Sequence, residues 1–123
     1  MYYGNWTCWE DVANDYEIHD QDVVVLFAAY DTPDYEGYAT VVFVENGKFY
    51  YVGGSHCSCY GLEGQWVPEE MPYEALLHMA TEGLGMLHDY NDEFTKSLRV
   101  VRELGIDKIG AEEAQLALKL ALG

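Results

Sequence analysis

The residues best suited to chemistry lie in one short segment, 55–59, near the middle of the chain. This segment places one imidazole, His56, and two thiols, Cys57 and Cys59, within four residues. Thiolate and imidazole ligands together suit zinc. In an extended backbone the two sulfurs would point to the same side and the imidazole to the other, because side chains alternate. The preceding Gly53 and Gly54 permit a turn that would bring all three together.

A structural zinc site needs four ligands, and this segment offers three. The predicted set is His56, Cys57, Cys59 and His78. His78 falls on a predicted helix, on the side opposite to its apolar face, so it would ligate only if the loop folds back over that outer side. Three further residues are candidates for the remaining position: Cys8, His19 and His88.

Two other interpretations of this segment stay open. The cysteines could be small buried apolar residues beside a hydrogen-bonded histidine, since free cysteine is often buried and inert, and the segment lacks the C-x₂-C spacing of familiar zinc sites. A reactive cysteine would need a base and an orienting group, and His56 beside Cys57 does not supply both.

The elements that must position this segment can be predicted from pattern. Thr7 and Glu10 have the spacing of a capping box, which predicts a short helix over 8–14. Apolar β-forming runs predict strands over 23–30, 38–45 and 48–52. Asp31-Thr32-Pro33-Asp34 indicates a turn, and Asn46-Gly47 indicates a tight hairpin. Gly53-Gly54 is expected to end the pairing, and 55–71 is expected to be a loop.

Helices are predicted for the remainder of the chain. One follows Pro72, and its apolar face is formed by Tyr73, Leu76, Leu77, Ala80 and Leu84. Gly83 and Gly85 interrupt it. A second covers 87–104 and stops at Gly105, and a third covers 111–122. The predicted fold is α+β, a three-stranded antiparallel meander with helices packed on one face. It forms a single domain over 1–123, with the meander and the Cys/His loop in 1–71 and the helical part in 72–123.

Charge is distributed unevenly along the chain. The net charge is −16; residues 1–95 hold 18 acids and one base, Lys48, whereas residues 96–123 hold four acids and five bases. A field of this sign repels nucleic acid and attracts basic proteins, although acidity also serves solubility alone. The predicted partner-binding residues are Asp11, Asp15, Glu17, Asp20, Asp22, Asp34 and Glu36.

Several classes of protein are not indicated. There is no P-loop, dinucleotide fingerprint or nucleophile elbow, so we expect no enzyme. The first six residues lack the basic and apolar regions of a signal peptide, and three cysteines are an odd number for a secreted disulfide framework. We therefore expect a cytoplasmic protein.

The block Gly54-Ser55-His56-Cys57-Ser58-Cys59-Tyr60-Gly61-Leu62-Glu63-Gly64-Gln65-Trp66, with the strands before it, resembles a group of small uncharacterised phage and prophage proteins. The likeness covers roughly residues 23–80. Small acidic phage proteins are similar in kind to anti-CRISPR proteins, several of which block Cas9-type effectors by occupying surfaces meant for nucleic acid.

The resemblance and the charge together predict a non-enzymatic inhibitor of a nucleic-acid-handling host protein. A Cas9-type effector is the expected partner, because such effectors hold guide and target in positively charged channels. A structural zinc would stabilise the fold. The alternatives are a zinc-binding accessory domain with an unrelated protein partner and a metal- or thiol-dependent enzyme.

Overall fold

A computed structural model describes residues 1–19, 23–57 and 61–122. Its strands are β1 (Tyr2–Gly4), β2 (Val24–Asp31), β3 (Gly37–Glu45), β4 (Lys48–His56) and β5 (Glu69–Glu70). Its α-helices are α1 (Trp9–Tyr16), α2 (Tyr73–Glu82), α3 (Asn91–Leu104) and α4 (Ala111–Leu122). Short 3₁₀ segments lie at Pro33–Tyr35, Gly85–Tyr90 and Ile106–Lys108.

In this part of the chain, five strands form one mixed sheet in the order β1-β2-β3-β4-β5. β1 is parallel to β2, and every other pair is antiparallel. The α+β class is therefore confirmed, whereas the three-stranded antiparallel meander is only its central part. β1 and β5 were not predicted, because strands of three and two residues are too short to show a pattern of alternation.

Both faces of the sheet are covered. On one face, which we term the helical face, α2, α3 and α4 pack over residues such as Phe27 and Val42. On the other, the α1 face, α1 and residues 61–66 pack over Val41 and Val52. The expectation of helices on one face only is thus wrong, since α1 lies on the opposite side. Burial on both faces explains why β2 is apolar almost throughout.

β2 contains a bulge that reverses its alternation. Val25 pairs with Phe43 and Phe27 with Val42, so Leu26 is the extra residue. As a result, the side chains of Leu26 and Phe27 both point to the helical face, while their neighbours Val25 and Ala28 are buried on the α1 face.

The hairpin at Asn46-Gly47 is confirmed, and both residues have the positive φ of a type I′ turn, 53° and 76°. The expected end of pairing at Gly53-Gly54 is wrong, since β4 continues to His56. These glycines serve packing: a Cβ on Gly53 would lie 2.8 Å from the Tyr51 hydroxyl, and one on Gly54 would lie 2.8 Å from Leu62.

The helices agree with the predictions at most boundaries. α2 follows Pro72, Gly105 ends α3 in the left-handed conformation, and α4 has the predicted bounds. α3 starts at Asn91 and not at 87, because the chain after Gly83 and Gly85 forms a 3₁₀ segment first.

The predicted capping box at α1 is wrong. The helix starts at Trp9, and Cys8 occupies the N-cap without a side-chain hydrogen bond. Asp11, not Glu10, contacts Thr7: its carboxylate accepts hydrogen bonds from the backbone N–H and the hydroxyl of Thr7, both at 2.9 Å.

Candidate functional site

His56 lies at the end of β4 on the α1 face, and both of its ring nitrogens have partners. Nδ1 is 2.8 Å from the carbonyl oxygen of Cys57, and Nε2 is 2.5 Å from the hydroxyl of Tyr30. A carbonyl only accepts, so Nδ1 carries the proton and donates. In the neutral ring Nε2 then accepts the hydrogen bond from Tyr30. The backbone therefore selects one tautomer of His56.

The Tyr30–His56 bond depends on a glycine in the strand between them. Gly37 on β3 pairs with His56, and a Cβ at Gly37 would overlap the imidazole ring. Burial, followed by the charges of Asp15 and Glu63, raises the pKa of Tyr30. The phenol thus stays a donor at neutral pH.

The structure does not bring the described members of the predicted zinc set together. His56 lies on the α1 face, whereas His78 is exposed on α2, which packs on the helical face. The sheet stands between them. Within the described ranges, no three His, Cys, Asp or Glu side chains are grouped so as to hold a metal. Cys59 lies outside the described residues, so the zinc prediction itself stays a prediction.

The other candidate ligands are dispersed. Cys8 is half-buried at the start of α1 and Cys57 is exposed. His88 lies in the 3₁₀ segment before α3, 3.3 Å from the Asp89 carboxylate. His19 is exposed after α1.

Residues 61–66 build the scaffold around His56. Gln65 continues the sheet beyond β5: its Oε1 accepts from the N–H of Ser55, and its Nε2 donates to the carbonyls of Ser55 and Gly61. Leu62 is 1% exposed in the core of the α1 face. Gly64 has a φ of 79°, which favours glycine.

Trp66 completes this block as the centre of an aromatic cluster on the α1 face. Its ring stacks on Phe43 at 5.6 Å and meets the edges of Tyr16 at 5.1 Å and Trp9 at 5.8 Å. Tyr50 also stacks on Phe43, at 5.2 Å. Trp9, Trp66 and Tyr50 are half-buried, so each also presents part of its ring to solvent.

Several acidic residues lie on the same face as that cluster. Four of them lie on or next to α1: Glu10, Asp11, Asp15 and Glu17. Glu63 lies in the segment 61–66 that covers the sheet beside α1. Two of them also hold the fold: Asp11 binds Thr7, and Asp15 accepts a hydrogen bond from the Trp6 indole at 2.7 Å.

Local hydrogen bonds keep two of these carboxylates ionised. The backbone and hydroxyl of Thr7 lower the pKa of Asp11. The backbone N–H groups of Glu63 itself and of Gly61 lower the pKa of Glu63.

Of the remaining predicted partner-binding residues, the structure describes the side chain of one. Glu36 is exposed and accepts a hydrogen bond from Tyr38 at 2.5 Å. Asp20 and Asp22 lie outside the described residues, and so does the side chain of Asp34.

Most of the positive charge is segregated from this face. The sequence contains no Lys or Arg before Lys48 and none between Lys48 and Lys96. Five of the six bases lie on α3, the 106–108 segment and α4, all on the helical face, whereas Lys48 of β4 lies on the α1 side of the sheet, 3.9 Å from the Glu70 carboxylate. Arg102 is held there by the Tyr73 ring, 3.9 Å away, and by Glu74 at 3.7 Å. Among the described residues, the sheet therefore separates an acidic side, whose one base is paired with Glu70, from a side of mixed charge.

Comparisons with known proteins add no family. No protein-family model matches the chain, and no curated protein or solved structure is detectably similar to it. Among the residues the structure describes, every helix is too short or too polar to span a bilayer.

Sequence reasoning missed the residues that organise this site. Tyr30 lies at the end of a predicted strand and Gly37 just before the next one. Neither was predicted to contact His56, because His56 is distant from both in sequence. Gln65 falls within the predicted loop over 55–71. Gly53 and Gly54 carried the available signal, because glycine inside a strand often marks a close approach of other atoms, but they were predicted to end the pairing.

Proposed function

We propose that this chain is a non-enzymatic inhibitor that binds a basic, nucleic-acid-handling protein through its α1 face. The observation that carries the proposal is the separation of charge by the sheet. The α1 face presents Glu10, Asp11, Asp15, Glu17 and Glu63, while the bases of α3 and α4 lie behind the sheet. The one described base on the α1 side, Lys48, is paired with Glu70.

The geometry supports protein binding better than a role in solubility. A solubilising charge works at any location, whereas these carboxylates share one face with the half-buried rings of Trp9, Trp66 and Tyr50. Aromatic side chains that are partly exposed and held rigidly are common anchors of protein interfaces. The rings would supply contact area and the carboxylates would supply attraction and orientation.

The electrostatic argument also suggests the kind of partner. A surface that binds a phosphate backbone is lined with Lys and Arg. A folded acidic face competes for such a surface, and oppositely charged partners associate quickly, at rates that fall with ionic strength. A Cas9-type effector, with its basic channels, is the first partner to test.

The test is competition between this chain and DNA. Guide-loaded Cas9-type effectors from several sources are mixed with the protein, and binding of labelled target DNA is followed by fluorescence anisotropy at increasing salt. We expect DNA binding to fall as protein is added, with the inhibition weakening as salt rises.

A pair of charge-matched variants locates the surface. The first carries Glu10→Gln, Asp11→Asn, Asp15→Asn and Glu17→Gln; the amides still accept the hydrogen bonds from Thr7 and Trp6. The second neutralises four exposed acids of the helical side: Glu82, Asp92, Glu103 and Glu113.

Both variants gain four charge units, so a non-specific effect of net charge would weaken them equally. We expect the first to lose inhibition and the second to retain it. Equal loss in both, or no inhibition of any effector by the unaltered chain, would count against the proposal.

A further inference from the structure

Helix α4 is apolar on two opposite sides. Ala114 and Leu118 point inward and are 1% and 0% exposed in the core of the helical face. Leu116 and Leu120, displaced from them by two positions, are 60% and 80% exposed. Two positions correspond to roughly 200° around a helix, so the second pair lies on the outer side. Because these leucines are four residues apart, they form one stripe.

Charged residues flank this outer stripe in a defined order. Glu112 lies in the first turn of α4 and Lys119 in the last. They are seven residues apart, so they occupy the same side of the stripe. When two such helices pack antiparallel, the side of one helix that carries Glu112 and Lys119 meets the same side of the other helix. The two residues then follow one another in opposite directions along the two helices. Glu112 of each copy then lies opposite Lys119 of the other.

We propose that the outer side of α4 is a self-association surface, on which two copies of this chain pack antiparallel about a two-fold axis. The Leu116 side chains of the two copies meet at the axis and Leu120 of each copy extends the apolar contact on either side, while two symmetric Glu112–Lys119 ion pairs fix its direction. A two-fold arrangement closes the interface after two copies and leaves no further stripe exposed.

Charge favours a second copy as the occupant over a basic partner. Each chain carries −16, so most of its surface repels another copy. Residues 96–123 hold five bases and four acids, which makes the α3–α4 region the part where two copies meet with least repulsion. A basic partner would instead be drawn to the α1 face. The inferred dimer leaves both α1 faces free, so it is independent of the proposed function.

Sedimentation equilibrium of the full chain over a range of concentrations tests the inference. We expect a reversible monomer–dimer equilibrium that Leu116→Ser with Leu120→Ser abolishes. Because both side chains are exposed in the monomer, thermal unfolding followed by circular dichroism should show that the variant folds. Met86→Ser removes a comparably exposed side chain, 58%, from the 3₁₀ segment before α3 and should leave the dimer unchanged.

Charge reversal tests the antiparallel direction. Lys119→Glu alone should raise the dimer dissociation constant by on the order of tenfold, since two ion pairs become two repulsions. Glu112→Lys alone should do the same, and the two together should restore the dimer. A chain that stays monomeric at all concentrations, a dimer unaffected by the serine variant, or a double reversal without rescue would each overturn the inference.

Discussion

The hydroxyl of Tyr30 on β2 and Nε2 of His56 on β4 lie 2.5 Å apart, although a whole strand separates β2 from β4. Strands two positions apart in a sheet are spaced by about 9–10 Å, so the two side chains must reach over β3. They can do so because the residue of β3 beneath the imidazole is Gly37. This hydrogen bond therefore joins three strands at one corner of the sheet.

Replacing Gly37 should destabilise the fold through this contact. Gly37→Ala puts a methyl group where the imidazole lies, and we expect overpacking to cost about 1–3 kcal/mol in the free energy of unfolding. Urea denaturation measures the loss. In a His56→Ala background the methyl group has space, so the same substitution should cost under about 1 kcal/mol. Equal costs in both backgrounds would show that the imidazole is not the cause.

The sequence predicts the elements whose signals are local. The hairpin at Asn46-Gly47 needs positive φ at two adjacent residues, and few residue pairs other than Asn-Gly adopt it readily. Gly105 and Pro72 mark helix ends in the same way, since each restricts or frees the backbone at its own position.

The remaining features depend on contacts between residues far apart in the chain. β1 exists because Tyr2 and Tyr3 pair with Ala28 and Ala29, and nothing within Tyr2–Gly4 alone indicates a strand. The position of α1 opposite the other helices follows from burial of Val12 and Tyr16 over the sheet. The Tyr30–His56 contact requires the order of β2, β3 and β4 as well as the absence of a side chain at Gly37.

Gln65 should be necessary to protect the end of β4. Its side chain takes the place of a neighbouring strand at Ser55, with bonds of 3.0 Å and 2.9 Å to the N–H and the carbonyl. Gln65→Glu keeps the acceptor but loses the donor, and it sets a carboxylate against the carbonyls of Ser55 and Gly61. We expect a loss of about 1–3 kcal/mol and faster amide hydrogen exchange at Ser55.

The control for Gln65 is a nearby exposed position. Glu69→Gln, at the exposed β5 edge, should change stability by less than about 0.5 kcal/mol. Unchanged exchange at Ser55 in Gln65→Glu would mean that the edge is held by the backbone alone.

Buried phenols predict loss of stability at alkaline pH. Burial is the main cause that raises the pKa of Tyr2 and of Tyr90 to about 12, and for Tyr90 the hydrogen bond to Asp31 adds to it. Burial also raises the pKa of Tyr16. An unfolded tyrosine loses its proton near pH 10. The folded state therefore binds more protons between about pH 10 and 12, and its stability must fall as pH rises through that window.

Stability and ionisation can be measured together in this window. Circular dichroism should show unfolding while tyrosinate absorbance rises in the same transition. Tyr90→Phe removes one raised pKa and should make the decline with pH shallower, whereas Phe in place of the exposed Tyr35 should not. Tyrosinate that forms well before unfolding would contradict the burial argument.

Zinc, if it binds at His56, must compete with Tyr30. Nδ1–H donates to the Cys57 carbonyl, a contact that often orients a ligating histidine, but Nε2 is already taken by the phenol. Protein purified without chelator should contain about one zinc per chain, lost on replacement of Cys57 and Cys59 by Ser. Tyr30→Phe removes the competing hydrogen bond, worth about 1 kcal/mol, and should tighten zinc binding roughly fivefold in competition with a chromophoric chelator.

His78→Ala is the matched control and should leave the affinity unchanged, since His78 lies on the helical face. Freshly reduced protein without metal would contradict the zinc prediction, and zinc bound equally by the unaltered chain and Tyr30→Phe would show that Nε2 of His56 is not a ligand.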